Sequence, residues 1–410
     1  MSVQETKLKA ISDAIREKDG TTEPIAANDF PDRIRAIPIV GNLPDGVHTI
    51  TLAAEPENGG SAIGGGVASN GMTITINAEA NEDDGFVFNG WKENGTLISS
   101  EPLHAFLVNA NRNLVASFYL QQYVTGVDWW ESTLPSSTQW YSVTYGDGKF
   151  LAIANNSNKA AYSTDGIVWT SVTLPSSAGW YSVTYGDGKF VAVASGKGWA
   201  FYSTDGVNWI SSALPSSAYW HSVTYGNGKF VAVADSSNKA AYSTDGVAWK
   251  AATLPSSESW CSVIYGNGKF VAVASSNKKA AYSMDGVTWK AATLPLFVGC
   301  ISVTYGDGKF VAVTRNANKA SYSTDGVTWI SATLPSSAGW HSVTYGDGKF
   351  VVVADDSDKA AYSDDGLIWE ASTLPSSANW FAVAYGDGKF VAVAENGNKV
   401  AYSSAKGPVA

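Results

Sequence analysis

Most of the chain is patterned in short apolar runs of strand length, and this pattern repeats every forty residues. In the first complete copy the runs are separated by Gly146-Asp147-Gly148, by a variable loop and by Asp165-Gly166. Short runs bounded by Gly, Asp and Asn predict β-strands joined by tight turns. The four predicted strands of this copy lie near Tyr141–Tyr145, Phe150–Ala154, Lys159–Ser163 and Ile167–Val172.

The repeat occurs seven times without an insertion. Four antiparallel strands in each forty-residue copy are typical of a propeller blade. A solenoid would need atypical capping repeats at its ends, and the sequence has none. We therefore predict an all-β protein in which residues 121–410 form a seven-bladed β-propeller. The segment SVTYGDGKF and its variants begin at Ser142, Ser182, Ser222, Ser262, Ser302, Ser342 and Ala382.

The two ends of the repeat array complement each other. The last copy reaches Ser404 and lacks the tryptophan that follows the third run in the other copies. The missing element is present upstream, because Gly126–Trp129 lies forty residues before Gly166–Trp169 and matches it. We predict that residues 122–130 pair with the last repeat and close the ring, which removes the exposed sheet edges.

Tryptophan recurs at two positions of the repeat. A large apolar residue that returns in every blade favours packing between blades over a role as a ligand platform. Cys300 replaces tryptophan in one of the first-strand positions. The first-strand tryptophans are Trp140, Trp180, Trp220, Trp260, Trp340 and Trp380, and those near the fourth strand are Trp129, Trp169, Trp209, Trp249, Trp289, Trp329 and Trp369.

Two segments precede the repeats. Residues 43–120 alternate polar and apolar residues and predict a small β domain. Residues 1–42 predict a short helical segment with a Gly-Thr-Thr break at residues 20–22. Two small amphipathic helices cannot bury a core alone, so we expect them to attach the protein to a carrier or to copies of itself. Their apolar face carries Leu8, Ile11, Ile15, Ile34 and Ile37.

Composition and charge restrict the classes of partner. The net charge is -10, and neither the repeats nor the preceding segments are basic. Nucleic acid and anionic membranes are therefore not expected as partners, because phosphate binding needs a cationic face. The N-terminus has no apolar signal segment, and no apolar run predicts a membrane span. Two cysteines give no disulfide framework, which fits a protein made in a host cytoplasm.

The turn Ser163-Thr164-Asp165-Gly166-Ile167-Val168-Trp169 resembles the Asp-box of bacterial neuraminidase-type repeats, with one residue fewer between Asp and Gly. The resemblance covers residues 123–404 and implies a propeller. In that family the box is a structural turn whose Asp accepts hydrogen bonds from backbone N–H groups. We therefore interpret these aspartates as turn formers.

Catalysis is not expected from these residues. Sialidases hold the substrate carboxylate with three arginines, whereas residues 121–410 contain Arg315 alone. Glutamate is sparse there, and a glycosidase needs two acids that face one cleft. No metal-ligand spacing and no nucleophile motif occur. We predict a protein that is not an enzyme and that has no cofactor, metal or catalytic residue.

The segments before the repeats carry two further resemblances. Residues 85–91, Gly95 and residues 113–118 are similar to the divergent internalin-type B-repeat, a small β domain of surface proteins and phage fibres. Residues 8–37 resemble a segment found in many phage tail and baseplate proteins. These resemblances imply a spacer domain and an attachment segment in a virion tail protein. The implied assembly partners are other tail or baseplate proteins, with a homotrimer as the usual state of tail fibres.

Comparison of the seven copies separates a constant face from a variable face. The first-to-second and third-to-fourth turns barely change, whereas the second-to-third loops and the residues beside the first-strand tryptophan differ. Variation on one face of a rigid repeat favours a recognition surface, and drift in tolerant loops is the alternative explanation. Trp199 and Tyr219 replace small residues there, and exposed aromatics among Asn, Asp and Ser suit sugar rings.

We therefore predict a phage tail-fibre or baseplate-tip receptor-binding protein whose propeller binds a bacterial surface carbohydrate. The alternatives are a bacterial surface adhesin or lectin, a glycan hydrolase and a purely structural tail component. The candidate ligand-binding residues are Trp199, Tyr219, His221, Arg315, His341, Asp355 and Asp356.

Overall fold

Extended strands account for nearly all of the regular structure. The computed structural model describes residues 46–121, 123–295, 300–315 and 317–405, so the predicted helical segment 1–42 lies outside the described residues. Within those ranges the helices are the single 3-10 turns Glu57–Gly59 and Glu82–Asp84, and none has the length and apolar content to cross a membrane. The predicted all-β class is confirmed. The chain consists of two compact units, and the boundary between them follows Gln121.

The first unit packs two small sheets around one core. In the larger sheet the strand order is β3-β1-β8-β5-β6, with β1 and β8 parallel, and in the smaller one it is β2-β4-β7. Trp91 lies at the centre of the core, and its Nε1 donates to the carbonyl of Pro102 at 2.8 Å. The strands are β1 Val47–Glu55, β2 Gly60–Ile63, β3 Gly66–Ser69, β4 Thr73–Ala80, β5 Phe86–Glu93, β6 Thr96–Ser99, β7 His104–Leu107 and β8 Arg112–Leu120.

The second unit contains the repeats. Its strands are β9 Trp130–Gly146, β10 Lys149–Asn155, β11 Ser157–Ser163, β12 Thr170–Gly186, β13 Lys189–Ser195, β14 Lys197–Ser203, β15 Ile210–Gly226, β16 Lys229–Asp235, β17 Ser237–Ser243, β18 Lys250–Glu258, β19 Trp260–Gly266, β20 Lys269–Ala274, β21 Lys279–Ser283, β22 Lys290–Thr293, β23 Cys300–Gly306, β24 Lys309–Thr314, β25 Ala317–Ser323, β26 Ile330–Gly346, β27 Lys349–Asp355, β28 Ser357–Ser363, β29 Glu370–Gly386, β30 Lys389–Glu395 and β31 Gly397–Ser404.

Antiparallel pairing groups the described strands of this unit into seven four-stranded sheets. Long strands such as β12 form the outer strand of one sheet and the inner strand of the next, because the chain continues in extended form between them. The sheets are β9–β12, β12–β15, β15–β18, β19–β22, β23–β26, β26–β29, and β29–β31 completed by β9.

The outer strands differ from the prediction in where they begin. Pairing with β11 starts at Thr170 and not at Ile167. The cause is the turn, in which Asp165 Oδ1 accepts hydrogen bonds from the N–H groups of Ile167 and Val168, both at 2.8 Å. Asp165 is therefore a turn former, as predicted, and the same bonds recur in the other complete copies.

The L-P-S-S segments lie within the long strands and bulge away from the neighbouring strand. The pairing of β11 with β12 jumps from Thr173 to Ala178. A first-strand tryptophan supports each bulge, since the Trp180 indole N–H donates to the carbonyl of Ser176 at 3.3 Å. Equivalent bonds of 3.0–3.1 Å occur at Trp140, Trp220, Trp260, Trp340 and Trp380.

The second set of tryptophans packs between successive sheets, as predicted. Trp169 belongs to a cluster that contains Phe150 of its own sheet and Val391 of the preceding one. Trp209 joins Phe190 and Leu151 in the same way. Each sheet therefore covers the apolar face of its neighbour, which stabilises the whole array.

The second unit pairs its first strand, β9, with its last strand, β31. β31 pairs with β9 from Tyr402 opposite Trp130 to Gly397 opposite Thr138. The N–H of Gly126 donates to Ser403 Oγ at 2.6 Å, just as Gly166 bonds Ser163 within a complete copy. The turn of residues 126–129 thus precedes the paired segment, which spans residues 130–138 and overlaps the predicted 122–130 only at Trp130.

Deleting residues 1–139 should destabilise the second unit, because β31 then loses its partner and exposes unpaired N–H and C=O groups. We expect the melting temperature to fall by about 10 °C or more, or the protein to aggregate. The matched control is deletion of residues 1–122, which keeps all of β9. Calorimetry and light scattering compare the two, and equally stable monomers would contradict closure through β9.

Candidate functional site

Strand pairing places the variable positions at one end of the second unit. Asn155, at the end of β10, lies opposite Gln139, which precedes the first-strand tryptophan. At the other end of the same strands Lys149 lies opposite Gly146, beside the constant first-to-second turn. The register recurs in the other sheets. We call the end that carries the second-to-third loops the variable end.

At the variable end, most of the residues that follow the first-strand Trp or Cys position contact their counterpart in the next sheet. The ring centroid of Phe381 lies 3.7 Å from that of His341 and 4.1 Å from that of Tyr141. Tyr181 lies 5.1 Å from Tyr141 and 4.7 Å from His221. We call the residues at this position the inner ring. They are Tyr141, Tyr181, His221, Cys261, Ile301, His341 and Phe381.

The inner ring keeps its two histidines neutral. The Nδ1 atoms of His221 and His341 lie 2.8 Å from the carbonyl oxygens of Cys261 and Phe381, respectively. Burial lowers the pKa of His221, and it lowers the pKa of His341 to about 4. Both were predicted as ligand-binding residues of the variable face; their rings pack inside the inner ring, and one nitrogen of each faces a backbone carbonyl.

The two cysteines meet beside the inner ring. Both are free thiols, and Cys261 Sγ donates to the carbonyl of Cys300 at 2.9 Å. Burial raises the pKa of both thiols, that of Cys300 to about 12. Thiols with raised pKa values are poor nucleophiles at neutral pH, so this pair is structural.

A cavity of about 470 Å³ opens at the variable end between the sheets β9–β12 and β12–β15. Among the predicted ligand-binding residues Tyr219 lines it, and its side chain is 59% exposed. The inner-ring residue Tyr181 forms another part of the wall. We call this cavity the open cleft. Its lining residues are Asn155, Asn156, Ser177, Ala178, Gly179, Tyr181, Ser195, Gly196, Lys197 and Tyr219.

The open cleft exists because its central positions carry small residues. Gly179 and Ser195 line it, and a Cβ atom at Gly179 would already meet Asn155 Oδ1 at the tight distance of 3.3 Å. The corresponding place one repeat earlier is filled, since Gln139 Nε2 and the Tyr141 hydroxyl donate to Glu395 Oε1 at 3.3 and 3.0 Å. Substitutions at equivalent positions thus decide whether a cleft is open or filled.

Four repeats further on, the equivalent cleft contains an ion pair. Arg315 donates to the carboxylate of Asp355, which occupies the space over Gly339. Burial raises the pKa of Asp355 against the opposing effect of Arg315. Asp356 lies in the exposed turn beside them with a φ of 50°. We call this place the charged cleft, so the predicted ligand-binding residues fall into separate clefts and do not form one site.

Trp199 differs from the prediction of an exposed loop aromatic. It lies in β14, is half-buried and packs against the core cluster that contains Trp180. It also does not line the open cleft. The interpretation of Trp199 as a replacement for a small residue is also wrong, because the other six copies have lysine at its position. In the second copy a lysine stands two residues earlier, as Lys197. The Lys197 Nζ lies 4.0 Å from the centroid of the Trp199 ring.

The sequence analysis missed Lys197, Tyr181 and Gly179 as parts of a site. The displaced lysine was a usable signal, because it breaks the repeat in a single copy. The other two carry no signal of their own, since tyrosine also follows Trp140 and glycine also precedes Trp340. Their role depends on which residues face them in the adjacent sheet.

Comparison with known proteins identifies the first unit. Residues 50–122 match the model of the divergent InlB B-repeat domain, which confirms the resemblance inferred from the sequence. Among curated proteins no relative matches the chain.

Solved structures resemble the second unit in fold. A streptogramin B lyase shares 12% identity with a TM-score of 0.61, over 67% of this chain and 97% of that chain. A virginiamycin B lyase from Staphylococcus aureus shares 17% identity with a TM-score of 0.62, over 67% and 99%. YCF48 bound to a D1 peptide shares 14% identity with a TM-score of 0.56, over 69% and 97%. These matches confirm a propeller-like all-β fold.

The comparisons correct the prediction that the protein is not an enzyme. Two of these neighbours are lyases, so enzymes occur on a propeller-like fold. The missing arginine triad and acid pair argue against one mechanism, not against enzymes on this fold. At such low identity the likeness shows the fold alone, and the lyase activity does not transfer to this chain.

The stability of the second unit should fall as the pH drops from about 6.5 to about 4. In this window the unfolded chain binds a proton at residue 341 that the folded chain does not bind. This lowers the free energy of unfolding by about 3 kcal/mol at pH 4. His221 acts in the same direction. The melting temperature can be measured by tryptophan fluorescence, because all but one of the 16 tryptophans lie in this unit.

The matched variant is His341→Phe, which places in the ring the residue found at Phe381. We expect its melting temperature to change less between pH 6.5 and 4 than that of the parent protein. An unchanged pH dependence would show that His341 protonates freely in the folded state.

Proposed function

We propose that the second unit is a seven-bladed β-propeller that binds a bacterial surface carbohydrate in the open cleft. We further propose that the chain is a receptor-binding protein of a phage tail fibre or baseplate tip. The observation that carries the proposal is the exposed ring of Tyr219 at the rim of a polar cavity. Sugar rings combine apolar faces with many hydroxyls, so an aromatic wall among amides and hydroxyls suits them.

The dimensions and lining of the open cleft support a small-molecule site. Its volume of about 470 Å³ falls within the range of roughly 300–1,000 Å³ that such sites occupy. Asn155 and Asn156 offer amide donors and acceptors on one side, and Ser195 offers a hydroxyl on the other. Binding by these groups needs little rearrangement, because they are attached to the ends of paired strands.

Seven sheets and a β9–β31 closure support the seven-bladed arrangement. The aspartate-centred turns support an Asp-box-like repeat, since Asp165 accepts backbone hydrogen bonds as that box does. In the proposed protein the B-repeat unit serves as a spacer between attachment and recognition. Residues 1–42 would join it to other tail proteins or to further copies of itself in the virion tail.

Replacing Tyr219 by serine, the residue at the equivalent Ser259, should weaken binding to a bacterial surface polysaccharide by about tenfold. The reason is loss of the aromatic wall. The melting temperature should change by less than about 3 °C, because most of the side chain is exposed. Tyr219→Phe is the control and should retain most of the binding, since it keeps the ring.

A panel of labelled surface polysaccharides, titrated with each variant, provides the measurement. Equal affinities of the serine variant and the parent protein would exclude the open cleft as the binding site. Loss of folding in the serine variant would show that Tyr219 has a structural role instead.

Deleting residues 1–38 should leave a folded β protein that no longer associates. The predicted apolar faces of the segment, with Ile11 and Ile34, have no core of their own to cover them. Light scattering of the full chain and of the shortened chain compares their masses. Monomers or oligomers with the same number of chains in both cases would contradict the proposed role of the segment in self-assembly.

A further inference from the structure

Lys197 has a different environment from the lysines of the other copies. In three of those copies the repeat lysine bonds a backbone carbonyl of the bulged segment, so its charge is used within the fold. The contacts are Lys239 Nζ to Ser217 O at 2.9 Å, Lys359 Nζ to Ser337 O at 3.3 Å and Lys399 Nζ to Ser377 O at 3.3 Å. In the second copy Trp199 takes that position, and Lys197 lines the open cleft instead.

The charge of Lys197 is not neutralised by the chain. Its Nζ lies over the Trp199 ring, a contact that orients an ammonium group without cancelling its charge. Trp199 is itself held by the core cluster, so it forms a fixed support. Among the ion pairs of the described residues none includes Lys197. The lining of the open cleft also contains no Asp or Glu.

Tyr181 supplies a second unused group. Its hydroxyl makes no hydrogen bond within the described part of the chain, although the side chain is only partly exposed. Burial raises its pKa, and the more distant carboxylates of Asp235 and Glu395 add to this, so it remains a donor at neutral pH.

The chain itself shows what an equivalent hydroxyl binds. One repeat earlier, the equivalent Tyr141 donates its O–H to the carboxylate of Glu395 at 3.0 Å. Four repeats later, the charged cleft is filled by the carboxylate of Asp355 beside Arg315. Both equivalent clefts thus hold a carboxylate from the chain, whereas the open cleft has Ser195 at the place of Asp355 and keeps a free cation.

We propose that the open cleft binds a sugar that carries a carboxylate, a uronic acid, with the carboxylate between Lys197 and the Tyr181 hydroxyl. The sugar ring then lies against Tyr219. This inference rests on the proposed carbohydrate-binding function and adds the charge of the ligand. Hydrogen bonds to charged groups are stronger than those between neutral groups, so the carboxylate provides much of the selectivity.

The test uses matched oligosaccharides that end in glucuronic acid or glucose, and in galacturonic acid or galactose. Calorimetric titration of the full chain at low salt should give about tenfold tighter binding to one uronic acid than to its neutral partner. The preference should shrink at about 0.5 M salt, because the attraction is screened. Lys197→Gln should reduce the preference to about twofold or less.

Two further variants complete the experiment. Tyr181→Phe removes only the hydroxyl and should reduce the preference for the acid by several-fold. Lys250→Gln makes the same charge change at an exposed lysine of β18, away from the open cleft, and should leave the preference intact.

The results separate this inference from the proposed function. If both members of each pair bind equally, or if Lys197→Gln keeps the full preference, the carboxylate assignment is wrong while carbohydrate binding stands. Binding of a glucose 6-phosphate-terminated oligosaccharide in preference to both uronic acids would also overturn it. If neither these oligosaccharides nor any surface polysaccharide binds, the proposed function fails as well.

Discussion

The packing of each sheet against the next is the constraint on which the second unit depends. One sheet cannot bury both of its apolar faces, so tryptophans such as Trp169 and Trp209 fill the space between neighbours. The same requirement applies to the last sheet, which takes its outer strand from β9. With every face covered, the backbone positions at the variable end are fixed. Side chains there can change from copy to copy while the scaffold stays the same.

This division explains why one repeat yields clefts of different character. Equivalent positions differ by a few side chains, and those side chains decide what each cleft contains. Glu395 and Asp355 fill two of them with carboxylates from the chain. Between β9–β12 and β12–β15, Gly179 and Ser195 leave the space open, and Lys197 adds a cation that the chain does not pair. The proposed specificity therefore comes from substitutions in one copy of a near-constant repeat.

Periodicity in the sequence predicted the parts of the structure that repeat. The strand runs, the aspartate turns and the two sets of packing tryptophans follow from spacing and residue type alone. The beginning of each outer strand was placed too early, because hydrogen bonds from Asp165 hold Ile167 and Val168 in the turn. The site was predicted only in part. Tyr219 is exposed at the open cleft, but His341 is buried. The rings that contact Tyr181 and the carboxylate that pairs with Arg315 are forty residues away, where no local pattern identifies them.

We propose above all that the second unit binds a carbohydrate in the open cleft. Crystals of the full chain, soaked with fragments of a bacterial surface polysaccharide, test this proposal directly. We expect sugar density in the open cleft, with one ring against Tyr219. Density confined to the charged cleft, or to the end that carries the constant turns, would contradict it.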